Sequence, residues 1–390
     1  MASTWWRDES ELDEQQRSVI QLPIDGGPYL IKGQPGSGKT NLALLRANYV
    51  VLSGLPKTVV LTMGKVISHF IYSGAKLHGL KEHNVMTFHA WAQRIIRNAG
   101  ADVPDNSSDY DADLAALVTL LRDLADDNML EPYDSIILDE AQDYPKGAAR
   151  IFTRVTNRLF VTGDQHQRIN NNTEKTMKEF EGLAQFSIEL ERHYRNGHAI
   201  CNLVGALRGY DYVATSGYNE EEDPSRFGCH QCNDLREQTY QAIAMIPNQL
   251  DAYPDDLVGI IVPTNDELNE VMKYIDNSDI AGKVQLQHSQ EGYAPLDPNK
   301  RVIALNAFNS KGLEFRSAHF LGVDTISGWP DKAAVRNLVF TALTRAKTSL
   351  DIYHTLELPY WLQAAVNKLT TPPKPPSKLS DLFGKGSRQQ

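Results

Sequence analysis

Short, unbroken apolar runs recur along the chain. After Tyr29-Leu-Ile-Lys they lie at Thr58–Thr62, Ser135–Leu138, Leu159–Thr162, Leu257–Val262, Val302–Leu305 and His319–Val323. A run of this length without polar alternation reads as a strand buried on both faces. Helical spacing lies between many of the runs, as in Leu42, Leu44 and Leu45. Strands alternating with helices predict an α/β fold of parallel sheets covered by helices. The runs fall into two groups, on either side of about residue 190, so two such sheets are expected. The spans 1–188 and 189–369 are read as two domains.

Two segments break the pattern. Residues 101–131 carry nine acids and the single base Arg122, a net charge of −8, and their second half (Leu114, Leu117, Leu120, Leu121, Leu124) has helical spacing. From about Thr370 the chain runs Thr-Thr-Pro-Pro-Lys-Pro-Pro-Ser. Proline fixes φ and lacks a donor, so 370–390 is expected to be a flexible, proline-rich tail. Its Lys374, Lys378, Lys385 and Arg388 against Asp381 make it basic. Within it Leu379–Phe383 loosely resembles a short docking peptide. The acidic insert and this peptide are two places where a protein partner could bind.

Composition narrows the class. Of 390 residues 41% are apolar and 23% charged, which excludes wholesale disorder. A net charge of −10 excludes a uniformly basic coat, though not a local basic groove. Cys201, Cys229 and Cys232 are the only cysteines, an odd and sparse set that points to a reducing compartment. No apolar run approaches the roughly 18 residues of a membrane span. The first residues lack the charged-then-apolar layout of a leader. A cytoplasmic protein is expected, with no membrane partner.

The glycine loop carries the first chemistry. Tyr29-Leu-Ile-Lys is followed by Gly33-Gln-Pro-Gly36-Ser-Gly38-Lys39-Thr40 and then by helical spacing. Strand, glycine loop and helix in this order make a phosphate cradle: backbone N–H groups turn inward, Lys39 reaches the β/γ-phosphates, and Thr40 supplies a ligand to Mg²⁺. In Ser135-Ile-Ile-Leu-Asp139-Glu140-Ala-Gln142-Asp143 an apolar strand delivers carboxylates to its C-terminal end, where open α/β sheets bind ligands. Asp139 is read as the Mg²⁺ carboxylate and Glu140 as the group that polarises the attacking water. These two motifs predict an NTPase that takes ATP and Mg²⁺.

Further motifs follow in order. They are Leu12-Asp-Glu-Gln-Gln16-Arg17, Val85-Met-Thr87-Phe88-His89-Ala-Trp91, Val161-Thr-Gly163-Asp164-Gln-His-Gln167 and Leu190-Glu-Arg-His-Tyr194-Arg195. Asn309-Ser-Lys311-Gly312-Leu313-Glu314-Phe315 and Thr341-Ala-Leu-Thr344-Arg345-Ala346 complete them. This ordered set resembles the UvrD/Rep/PcrA-like helicases of superfamily 1, from about Leu12 to about Tyr353. The resemblance implies two RecA-like P-loop NTPase domains with ATP in the cleft between them, and movement along single-stranded DNA, usually 3′ to 5′. It implies that Gln16 reads the adenine edge, Tyr194 stacks on it and Glu314 meets the ribose. Arg195 and Arg345 would reach the γ-phosphate from the second domain, and Gln167 would link phosphate state to the DNA path. RNA stays open, because these residues address backbone and stacking rather than the 2′-OH.

The DNA side departs from that family. No aromatic follows Gln167 until Phe180, and Phe308 stands where the family usually has histidine. Thr87, His89 and Phe308 are the candidate DNA contacts, with a core position as the alternative for Phe308 and a buried capping role for His89. The acidic insert sits where larger relatives carry a DNA-binding subdomain, and its charge would repel phosphates. Two functions therefore stand: a DNA translocase or helicase, and a nucleotide-gated switch that regulates a protein partner without unwinding. His198, Cys201, Cys229 and Cys232 have the spacing of four zinc ligands, against a plain helical role for Cys201.

Overall fold

The computed structural model describes residues 6, 9–77, 79–105, 110–164, 173–288, 296–297, 299–330 and 333–370. Gln167 and the peptide Leu379–Phe383 lie outside the described residues.

Two parallel six-stranded sheets organise the chain. The first contains β1 (Tyr29–Gly33), β2 (Thr58–Thr62), β3 (Val85–Thr87), β4 (Ser135–Leu138), β5 (Leu159–Gly163) and β6 (Phe186–Leu190), in the order β3-β2-β4-β5-β1-β6. The second contains β7 (Arg226–Gln231), β8 (Val258–Val262), β9 (Val284–Gln287), β10 (Val302–Asn306), β11 (Phe315–Phe320) and β12 (Ala346–His354), in the order β7-β12-β11-β8-β10-β9. Every residue of β2, β4, β5, β8 and β10 is buried, as expected of strands with helices on both faces. One apolar cluster joins Leu42 and Ile71 of the first half to Ile303 and Leu343 of the second, so the two halves pack on each other.

The strand expected at His319–Val323 is β11, Phe315–Phe320, and Val323 instead begins a 3-10 turn ending at Gly328. Arg316 and Ser317 hide the start of this strand, because both are polar in sequence yet shielded in the fold. β6 ends at Leu190, so a boundary drawn at 188/189 cuts a half-exposed edge strand.

Within the acidic insert lies the helix Tyr110–Asp126. Leu114, Leu117, Leu121 and Leu124 are buried with Phe152 in the first half, while Asp111, Asp123 and Asp126 face outward. Ion pairs hold acids of the insert: Glu131 meets Lys57 at 2.8 Å, Asp123 meets Arg122 at 3.4 Å and Asp126 meets Arg154 at 3.7 Å. No described helix is long and apolar enough to cross a membrane.

Candidate functional site

β1 ends at Gly33, and the loop that follows feeds the helix Lys39–Leu52 through Gly38. Gly36 has φ +78°, and a Cβ there would fall 2.6 Å from Cβ of Arg195, so the loop and the segment after β6 meet only because this residue is glycine. Lys39 folds back over the loop, donating to the Gly33 carbonyl at 2.8 Å and the Gln34 carbonyl at 2.9 Å.

Asp139 stands at the end of β4, fully buried. Its carboxylate accepts from Thr162 Oγ1 at 2.7 Å and Thr40 Oγ1 at 2.9 Å. Burial, with the charge of Glu140 beside it, pushes the Asp139 carboxyl up to about 6. Glu140 holds a left-handed backbone, φ +56° and ψ +54°. A non-glycine residue there stores roughly 1–2 kcal/mol of strain, which such sites spend on aiming a side chain. Gln142 donates to Glu140 and accepts from the Asp164 amide at 3.0 Å, tying the ends of β4 and β5 together. Burial alone would raise Glu140, but Lys311, Lys39 and Arg345 outweigh it and hold the carboxyl below its ordinary value.

The second half supplies cations. Lys311, from the loop between β10 and β11, forms an ion pair with Asp143 and lies 3.8 Å from Glu140. Burial would lower its ammonium, yet the two carboxylates hold it above its usual value. Asp143 in turn is raised, by burial first. Arg345 is 1% exposed at the start of β12 and is aimed by the Thr341 carbonyl at 2.9 Å and the Leu313 carbonyl at 3.3 Å. Burial and the neighbouring Arg195 bring its guanidinium down to about 9, still protonated at neutral pH. Arg195 is ion-paired with Glu314. Asn196 donates to the Thr344 carbonyl at 3.0 Å and the Ala346 carbonyl at 2.6 Å, fastening the residue after Arg195 to the two residues that flank Arg345.

At the other end, Gln16 donates to the Ser37 carbonyl at 3.1 Å and receives the Asp13 amide at 3.2 Å in a capping box. Tyr194 donates its amide to the Gly36 carbonyl at 2.9 Å and its hydroxyl to Asp13.

One cleft between the sheets gathers Gln16, Gly36, Gly38, Lys39, Thr40, Glu140, Tyr194, Arg195, Glu314 and Arg345. Gly33 and Asp139 stand behind its wall through their bonds to Lys39 and Thr40. The free volume is about 110 Å³, below the roughly 300–1,000 Å³ of small-molecule pockets.

Thr87, His89 and Phe308 do not line the cleft. Thr87 caps the helix Phe88–Asn98, its Oγ1 accepting from the Ala90 amide at 3.1 Å, and His89 is half-buried on that helix. Phe308 is 52% exposed just past β10, which corrects the core alternative for it. Cys201, Cys229 and Cys232 are free thiols, and among the described residues no group of three or more His, Cys, Asp or Glu is placed to hold a metal. Cys201 is buried in the helix His198–Arg208 and donates to the Asn196 carbonyl at 3.2 Å, so it serves as a small core residue. Sequence reasoning gave no role to Lys311, Asn196 or Thr162. Their partners lie up to 168 residues away, so although Lys311 and Thr162 fall inside local motifs, no local pattern names what they bond.

No family model matches the chain, and no curated protein matches it. Among the solved chains that match is the C-terminal domain of a possible DNA helicase from Lactobacillus plantarum WCFS1. It is 20% identical over 45% of this chain and 96% of that chain, with a TM-score of 0.32, a likeness too distant to carry an argument.

Proposed function

We propose that the protein is an ATP-dependent translocase or helicase on single-stranded DNA, of the UvrD/Rep/PcrA-like superfamily 1 type. It would be built from two RecA-like domains, one carrying β1–β6 and the other β7–β12. The observation that carries the reading is the meeting, in one cleft, of the glycine loop and Glu140 from one sheet with Arg195 and Arg345 from the other.

ATP is the substrate in this reading. Lys39 would exchange two loop carbonyls for phosphate oxygens, and Arg195 would leave Glu314 for the γ-phosphate. Glu314, so released, is free for the ribose. The paired hydroxyl and carboxylate of Thr40 and Asp139 are hard oxygen donors that fit Mg²⁺. Bound with the nucleotide, the ion supplies charge neutralisation on the phosphoryl oxygens. Glu140, held low and ionised by its neighbours, would orient the water and accept its proton. The two guanidinium groups would stabilise the charge of the transferring phosphoryl group.

The strand would lie away from the cleft. Thr87 ends β3 and Phe308 lies just past the C-terminal end of β10, and exposed Phe308 offers a ring for a base to stack on. The second reading, a nucleotide-gated switch acting on a protein partner, is favoured by the outward acids of the helix Tyr110–Asp126. ATPase rate with and without single-stranded DNA or RNA, followed by strand displacement, separates the two. Hydrolysis lost in Lys39→Ala and stimulated by DNA is the expected result. Hydrolysis that survives Lys39→Ala would remove the assigned site, and absent DNA stimulation and binding at low salt would leave the switch.

A further inference from the structure

Among the described residues five cations line the cleft: Lys39, Arg195, Arg316, Arg345 and Lys347. Four of them are held within the protein. Lys39 and Arg345 donate to backbone carbonyls, and Arg195 is ion-paired with Glu314. Arg316 meets Asp223, lies 3.8 Å from Asp256 and sits 3.9 Å from the centre of the Tyr253 ring. The carboxylates that line the cleft also face cations: Glu140 faces Lys311, Glu314 faces Arg195 and Asp256 faces Arg316. Lys347 differs from the other four. It is half-buried, yet among the described residues its ammonium makes no hydrogen bond and no ion pair.

The backbone aims this lysine. Lys347 is the second residue of β12, just past the motif that ends at Ala346. β11 and β12 pair Phe315 with Ala346 and Ser317 with Ser349, so Lys347 and Thr348 together stand against Arg316 alone. An extra residue of this kind breaks the alternation of a strand and re-aims a side chain. Thr348 turns its hydroxyl to Asp223 at 3.4 Å, while Lys347 borders the cleft. The Lys347 carbonyl accepts the Gly197 amide at 2.8 Å. Lys347 is thus fixed two residues past Arg345 on its own strand and beside the segment two residues past Arg195.

A cation without a counter-ion in a cleft raises the local concentration of anions. We propose that Lys347 is a third phosphate-contacting cation from the second half, bonding the γ-phosphate alongside Arg195 and Arg345. This rests on the nucleotide reading above and deepens it, because the lysine binds what ATP has and ADP lacks. Lys39 and Arg195 must leave an existing partner to reach phosphate, whereas Lys347 leaves only water. The residue thereby weights the cleft toward the triphosphate and against the diphosphate product.

The test is equilibrium displacement of a fluorescent ATP analogue, with Mg²⁺ present, from Glu140→Gln protein, which holds nucleotide without rapid turnover. ATP and ADP are the competitors. Adding Lys347→Met, which keeps the apolar stem and removes the charge, should weaken ATP by about tenfold, on the order of one charge-assisted hydrogen bond. ADP should stay within about twofold of its parent affinity, as expected if the fold is intact and only the γ-phosphate contact is lost. Lys347→Arg, which keeps the charge, should hold ATP within about threefold. Unchanged ATP affinity in Lys347→Met overturns the proposal and leaves Lys347 a solvated lysine at the rim. An equal loss of ATP and ADP overturns it as well, since the contact would then be to the inner phosphates, the sugar or the packing. Either result leaves the nucleotide reading standing. A parent that binds neither nucleotide removes that reading, and the proposal with it.

Discussion

Asp139→Asn should make the ligand-free protein more stable at neutral pH while destroying its activity. The carboxyl is fully buried and its pKa is raised from 3.8 to about 6, by burial first and by Glu140 second. A group whose folded pKa lies above its unfolded one gives stability that is fully present below 3.8 and lost as pH rises through about 6. At 1.36 kcal/mol per pH unit, the ionised form at pH 8 costs about 3 kcal/mol relative to a neutral group. Asparagine removes that cost. It also forces one of the two threonine hydroxyls to reverse, which recovers roughly 1 kcal/mol of it. A net gain of about 2 kcal/mol is therefore expected at pH 8, shrinking toward pH 4.5, where both proteins hold a neutral side chain. Urea denaturation followed by circular dichroism at a series of pH values measures it. Equal or lower stability of Asp139→Asn at pH 8, or a difference that does not change with pH, would refute the reasoning. Mg²⁺ titrated with nucleotide should stabilise the parent more than the variant.

Glu140→Gln should bind ATP and turn it over about 10²–10⁴-fold more slowly, since an amide keeps the shape but cannot take the water's proton; undiminished single-turnover rates would move that role elsewhere. Phe308→Ala should leave the melting temperature within a degree or so, because the ring is largely exposed, and weaken single-stranded DNA by roughly 5- to 150-fold in a filter-binding titration. Changing Asp111, Asp123, Asp126 and Asp127 to asparagine, with the buried leucines kept, should tighten DNA binding at low salt more than at high salt. Affinity unchanged across the salt series would place that helix away from the strand.

The parts of the fold that sequence reveals are those where one physical demand dominates. β2 and β4 are buried on both faces and so are written in unbroken apolar residues, ending where the structure ends them. The edge strands β3, β6, β7 and β9 are short or half-exposed and carry no such run. β12 is hidden for another reason. Its buried Asp351 looks like a surface residue until Arg226, at 2.7 Å, and His230, at 2.8 Å, are seen to satisfy it. In the cleft, the glycine loop and Asp139-Glu140 are legible because their spacing is local. Lys311 on Asp143 and Asn196 on β12 are contacts made only by folding, and no window of sequence contains both partners.

The short passage from Tyr194 to Asn196 has a mechanical consequence. Tyr194 is bonded to the glycine loop of one half, and Asn196 is bonded to the β12 end of the other. The chain crosses between the halves once among the described residues, from His193 to Asn196, where His193 is already bonded to Thr215 and Gly217 of the second half while Tyr194 holds the glycine loop of the first. Any rotation of one half against the other would reach Arg195, which stands inside this segment, and its long side chain would carry a small change of backbone direction to the guanidinium as a larger displacement. The residue that would meet the phosphate is thus also the one whose direction registers how far the two halves have turned.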